Sequence, residues 1–217
     1  MSAKKESIEL PKLPTHLDEL ELEDYELEDE RSIHDCVLQD RDMANQSAHR
    51  VCFDRVLFKN VAFRRTTLRK TEFTDVLFDN CDLSNLDLNG AIMHRVAFRN
   101  CKLLGLDLSE STLRNVLFED CYAEYAVLRF ANAKQVKFAR GTFAKADFFR
   151  TTLVKATFEE TNLDQAQFSQ TKLAGIDLSQ CEFDALGASL EDLQGCIIAP
   201  HQAAVFASLF GLVVTRD

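Results

Sequence analysis

The residues of this 217-residue chain able to do covalent or metal chemistry are seven cysteines, five histidines and 35 Asp and Glu. The cysteines are odd in number, with no C-x-x-C pair and no Cys/His cluster at zinc-ligand spacing. This predicts free thiols rather than disulfides or a metal centre. None of His16, His34, His49, His94 and His201 stands with a Ser or Cys in a nucleophile–base arrangement. Neither a Walker loop nor a dinucleotide Gly pattern occurs. The expectation is a chain that is not an enzyme and takes no cofactor and no metal.

What is left for these residues to do is carry charge. The formal net charge is −10, but it is unevenly spread. Residues 1–35 carry −8, residues 36–155 carry +5, and residues 156–217 carry −7. The run from Asp18 to Glu30 places nine carboxylates in thirteen residues, interleaved with Leu20, Leu22, Tyr25 and Leu27. Its composition predicts a solvated, partly disordered arm, with a lid over the first turn of the fold as the alternative.

The elements that position these charges follow from a period of five. Six of the seven cysteines (Cys36, Cys81, Cys101, Cys121, Cys181 and Cys196) are separated by multiples of five residues. From Phe53 to Phe183, every fifth residue gives 27 centres: thirteen Phe, eleven Leu, Met93, Ala123 and Ala133. Two residues before each centre, 24 of 27 positions are Val, Thr, Ala, Cys, Ser or Gly, so the cysteines read as small buried hydrophobes. Five fits neither a helix of 3.6 nor a strand of 2. It fits one short extended side plus a corner, and four sides close a coil of twenty residues. About seven coils stacked at ~4.8 Å would reach roughly 35 Å.

The twenty-residue period makes its own predictions. Phe58, Phe78, Phe98, Phe118, Phe138 and Phe158 are one coil apart and should stack. Asn60, Asn80 and Asn100 should form an amide ladder, and Lys59, Asp79, Arg99 and Glu119 a column of alternating sign. Leu57, Leu77, Ala97 and Leu117 form an outward apolar column that is either a contact stripe or shielded by the N-terminal arm. Tyr125, Phe130 and Phe149 also fall outside the core register. At the end of the chain, Pro200 suits the first turn of a helix and Gly211 its cap, with Ala203, Phe206, Leu209 and Phe210 on one face. Leu212 to Thr215 read as a strand. This module is either a cap on the last coil or a dimer interface. No apolar run reaches the ~18–20 residues of a membrane span. The opening MSAKKESIELPKLP lacks a signal-peptide core, so a cytoplasmic protein is expected.

Segments such as NCDLSNLDLNG, CKLLGLDLSES and ETNLDQAQFSQTKLAGIDLSQ resemble the pentapeptide-repeat proteins. The end GCIIAPHQAAVFASLFGLVVT and the stretch FEDCYAEYAVLRFANAKQVKF are similar to the Qnr-type quinolone-resistance family, in particular its enterococcal chromosomal branch. The resemblance implies an all-β, right-handed quadrilateral β-helix (a pentapeptide-repeat solenoid) with a short C-terminal helix. It divides the chain into an arm over 1–32, the β-helix over 33–195 and a dimerisation or capping module over 196–217.

The family implies a homodimer joined at its C-termini, with Ala203, Phe206, Leu209, Phe210, Leu212 and Val213 at the interface. It also implies a protein that imitates duplex DNA and binds DNA gyrase and topoisomerase IV, protecting them from fluoroquinolones, without contacting nucleic acid or membrane itself. Glu159, Glu160, Asp164, Asp177, Glu182 and Asp184 would form its acidic saddle. A scaffold or adaptor for another protein is the alternative. The family favours Asp or Asn just before the centre, yet only Asp82, Asp87, Asp107, Asn132, Asp147, Asn162 and Asp177 fit.

Overall fold

A computed structural model describes residues 8–20, 26–209 and 211–214. The chain winds into an all-β solenoid of about eight turns, one more than the sequence suggested. The weak centres Leu38, Met43 and Ala48 are buried, as are the strong ones, and make a full first coil.

Each coil has four faces, centred for example on Phe73, Phe78, Leu83 and Leu88. The first two faces form one bent strand of eight residues: Ser32–Gln39, Cys52–Lys59, Glu72–Asp79, Ile92–Arg99, Thr112–Glu119 and Asn132–Ala139. Successive strands pair in parallel with a shift of twenty residues, so that Phe58 lies against Phe78 and Phe78 against Phe98. The third and fourth faces touch their neighbours through single bridges, such as Ala62 to Asp82 and Asp87 to Asp107.

The corners use left-handed backbone up to the start of the last coil. All residues numbered in fives from Glu30 to Gly175 have positive φ, and 27 of them are not glycine. On the third and fourth faces the amide three residues on closes the corner, as in Leu86 N–H to Leu83 C=O at 3.1 Å and Ala91 to Leu88 at 3.0 Å. With positive φ at the third residue these are type II turns. That explains where the pre-centre acids fall. Asp82, Asp87, Asp107, Asp147 and Asn162 lie on those two faces, and each accepts the amide two residues on at 2.8–3.1 Å. Asp177 does the same on the second face of the last coil, where closure by the amide three residues on has spread to Leu173 and Leu178. Asn132 instead lies inside a strand. The acids are few because only turn-closed faces have an amide for them to hold.

The interior is the predicted stack. Ring centroids along Phe58, Phe78, Phe98, Phe118, Phe138 and Phe158 are 4.6–5.2 Å apart, with planes within 14°. Such offset stacking satisfies the ring quadrupoles while burying each ring. The cysteines fill the small positions, as expected, and three of them direct their thiols at carbonyls of the coil below: Cys81 at Phe58, Cys101 at Phe78 and Cys121 at Phe98, 3.4–3.5 Å. Burial pushes the Cys181 thiol up to about 12 and Cys36 to about 11, which keeps both protonated and inert. Among the described residues no group of His, Cys, Asp or Glu is arranged to hold a metal, and no helix is long and apolar enough to cross a membrane.

The outer ladders form in part. Asn80 donates to Asn60 at 2.7 Å and Asn60 to Asp40 at 2.8 Å, while Arg99 pairs with Glu119 at 3.1 Å. The strongest pairs stand at corners, where Arg55 and Arg95 grip Asp35 and Asp75 of the coil below with both arms.

The N-terminal segment is docked against the solenoid, although most of its described residues remain exposed as expected. Glu9 N–H donates to Asn115 and Lys12 N–H to Asp75. Asp18–Glu19 pairs in parallel with residues Cys36 and Val37. Three residues thus cover two coils, about 10 Å, which requires fully extended chain. This strap runs down the outside of the solenoid. Ala97 and Leu117 are buried although they point outward, while Leu57 and Leu77 are half-buried, so only the upper half of the apolar column is fully covered. Leu27 is buried at the base of the first coil. Within the acidic run, residues 21–25 lie outside the described residues.

Candidate functional site

The last two coils gather carboxylates. Asp164 stands on the third face, and Glu182 and Asp184 on the same face one coil higher, aligned by the Asn162 to Glu182 bridge. Among the described residues none of the three is in an ion pair. The Gln165 side chain at 2.8 Å, together with the Asp184 and Ala185 amides at 2.9 and 3.1 Å, holds the Asp164 carboxyl below the usual range. Asp164 is therefore a fixed negative charge at neutral pH. With Glu182, Phe183, His201 and Gln202 it lines an open cleft of about 520 Å³.

The other saddle residues are placed differently. Glu160 has positive φ at the corner leading into that face. Glu159 and Asp177 lie around the corner on the second face. Glu159 is held by Lys137 at 2.7 Å, and Asp177 accepts the Ser179 amide. The structure thus brings together Asp164, Glu182 and Asp184, flanked by Glu160, and leaves Glu159 partly neutralised.

The C-terminal module closes the solenoid. Pro200–Gln202 is one turn of 3-10 helix and continues into α2, Ala203–Leu209; a short α1, Leu190–Leu193, precedes them. Pattern reading missed α1, although Ser189 and Asp192 form a capping box in S-x-x-D spacing. It also missed Gln202, which is buried and donates to the Leu178 and Cys181 carbonyls at 2.9 and 2.8 Å. Gln202 thus satisfies two carbonyls at the open end of the last coil.

The expected shared face of α2 is not uniform. Phe206 is buried edge-on against Phe183 at 5.8 Å, so it belongs to the cap, whereas Ala203 and Leu209 are exposed. Leu212 and Val213 are exposed and not in a strand, contrary to the sequence reading, and Phe210 and Thr215 lie outside the described residues. Leu190, Leu193, Cys196, Ile198 and Phe206 line an open, largely apolar groove of about 490 Å³.

Residues 71–148 and 91–168 match the sequence profile of the pentapeptide repeat region. No curated protein matches the chain in sequence. Among solved structures, it is similar to HetL, a pentapeptide repeat protein involved in heterocyst differentiation regulation from the cyanobacterium Nostoc sp. strain PCC 7120. The identity is 16%, with 78% of this chain and 90% of HetL covered and a TM-score of 0.43. It is also similar to QnrB1, a plasmid-mediated fluoroquinolone resistance protein, at 18% identity, with 81% of this chain and all of QnrB1 covered and a TM-score of 0.38.

Proposed function

We propose that this chain, a pentapeptide-repeat protein, acts by presenting a charged surface to a protein partner. We further propose that the partners are the type II topoisomerases DNA gyrase and topoisomerase IV. In this reading the chain occupies their DNA-binding surface as a DNA mimic and so protects them from fluoroquinolones. One observation carries it: Asp164, Glu182 and Asp184 share one face of the last two coils without a cationic partner among the described residues. Carboxylates fixed on a rigid wall make a field that attracts a basic groove. The wall repeats every ~4.8 Å while duplex DNA carries a charge every ~1.7 Å, so the likeness lies in the field and not in a charge-by-charge match.

The resemblance of residues 118–138 and 196–215 to Qnr-type sequences supports the same partner. Two copies joined through Leu209, Leu212 and Val213, seated in the neighbouring apolar groove, would bring two such walls to the centre of the dimer. The test is the triple variant Asp164→Lys, Glu182→Lys, Asp184→Lys in a gyrase supercoiling assay with and without ciprofloxacin. The wild type should restore supercoiling in the drug, and the variant should lose that effect along with salt-sensitive gyrase binding. Equal protection by both would end the mimicry reading.

A scaffold role for another protein is the second reading. It is favoured by the body of the solenoid, where Arg55, Arg95 and Arg140 neutralise carboxylates of the coil below and the sum over residues 36–155 is positive, unlike DNA. Failure of the wild type itself to affect gyrase would favour it.

A further inference from the structure

We infer that the fifth and sixth coils carry a second docking surface, cationic and aromatic, which takes an extended acidic segment of a partner protein. Tyr122, Tyr125 and Phe130 are 46%, 50% and 47% exposed. Away from the N-terminal strap and the C-terminal end, the only other described large apolar side chains so exposed are Ile92 and Val154. Three of five therefore fall within nine residues of one coil. Phe149, from the coil above, meets Phe130 edge-on at 5.7 Å.

Backbone geometry singles out two of these rings. Tyr125 and Phe130 have φ of 59° and 60° at corners, and no other aromatic stands at any of the 27 non-glycine corners. Left-handed backbone is unfavourable for bulky residues, and the remaining corners use mostly Asn, Asp, Arg, Lys, Glu and Gln. The core does not require the rings, because Ala123, Ala126, Ala131 and Ala133 beneath them are already buried. Two costly aromatics facing water with no internal task point to an external one.

Cations decorate the rings. Arg129 sits 5.0 Å from the Phe149 ring and 5.9 Å from Phe130, Arg150 lies 5.3 Å from Phe149, and Lys145 lies 5.1 Å over Tyr125 and donates to its hydroxyl. A guanidinium laid on a ring keeps its N–H edge free for a carboxylate. Against these three cations stand Asp147, 3.6 Å from Arg129, Glu124 beside Tyr122, and Asp164, whose charge reaches Lys145, while the Arg150 Nε–H is donated to Gln170 and leaves its other N–H groups to a ligand.

The patch thus offers positive edges between apolar ring surfaces, the complement of a strand that alternates carboxylates with aliphatic or aromatic side chains. A long polyanion fits less well. The chain is −10 overall, and the face that carries Tyr122 continues upward into the Asp164, Glu182 and Asp184 wall. The sign of this surface is opposite to that of the acidic wall, so the two sites recognise opposite chemistries and stand or fall separately.

Fluorescence anisotropy of the full chain tests it with three labelled probes: a peptide alternating Glu with Leu, its Gln–Leu counterpart, and oligo-dT. The Glu–Leu peptide should bind at least tenfold tighter than either of the others. Arg129→Glu with Arg150→Glu should weaken it at least tenfold, and Phe130→Asn, which suits the left-handed corner, by about fivefold. The thermal midpoint should hold within a few degrees, and Glu182→Lys, three coils above Tyr122, should leave peptide binding intact. Equal binding of the Glu and Gln peptides, tighter binding of oligo-dT, no binding at all, or an unchanged Kd in both the double variant and Phe130→Asn would overturn the inference.

Discussion

Phe98→Ala removes one ring from the centre of the axial stack. Phe98 is fully buried between Phe78 at 4.8 Å and Phe118 at 4.9 Å, with interplanar angles of 4° and 3°. Transfer of the benzyl group out of water is worth about 1.5–3 kcal/mol. The gap adds to this, because rings held by coil backbones above and below cannot close it, and two ring contacts of about 0.5–1.5 kcal/mol each are lost. Deletions of this kind in rigid cores cost about 3–5 kcal/mol. In a solenoid each coil touches only its neighbours, so the loss falls on the interfaces either side of the fourth coil and should erode cooperativity. Urea unfolding followed by far-UV circular dichroism should show a lower midpoint and a broader or biphasic transition. A loss under about 1 kcal/mol with the transition shape unchanged would show that the stacked rings are not the unit of packing.

Gly141→Ala should cost about 1–3 kcal/mol by thermal denaturation, because the new methyl would meet the Cys121 carbonyl oxygen at 2.6 Å, a backbone atom with no room to yield. Acid should destabilise the fold over a defined window. The Arg55 fork holds Asp35 down at about 2, against about 3.9 when unfolded, so its contribution is complete above pH 4 and is lost as pH falls towards 2. Burial pushes Asp75 up, but Arg95 and the Lys12 amide outweigh it and hold that carboxyl below its usual value, adding in the same direction. Urea midpoints should be flat from pH 7 to 5 and drop from pH 4 to 2.5. Asp75→Asn should lessen the drop and release the strap to proteolysis near Lys12.

How far the sequence could be read depended on whether a contact recurs. The Phe column, the small second position and the buried cysteines repeat with a fixed period, so each coil confirmed the next. The two kinds of corner were invisible as such. Yet the scatter of Asp82, Asp87, Asp107, Asp147 and Asn162 marked the type II faces once the coils were aligned. Unique contacts left little signal. Glu9 and Lys12 dock through their backbone amides, which any residue supplies, and Gln202 caps the end with a single side chain. Of the six acidic residues singled out, the wall formed by Asp164, Glu182 and Asp184 follows from twenty-residue spacing, but the Lys137 partner of Glu159 does not stand out from sequence alone.

The left-handed corner at every fifth position governs how such a chain can change length. Duplication of five residues would keep every filler inward yet swing everything downstream through a quarter turn, carrying the carboxylate wall from one side to the next. Duplication of twenty would lengthen the molecule and leave all sides in phase. Evolution of the length and evolution of the orientation of the two charged surfaces are therefore separate moves, each made by a different unit of repetition.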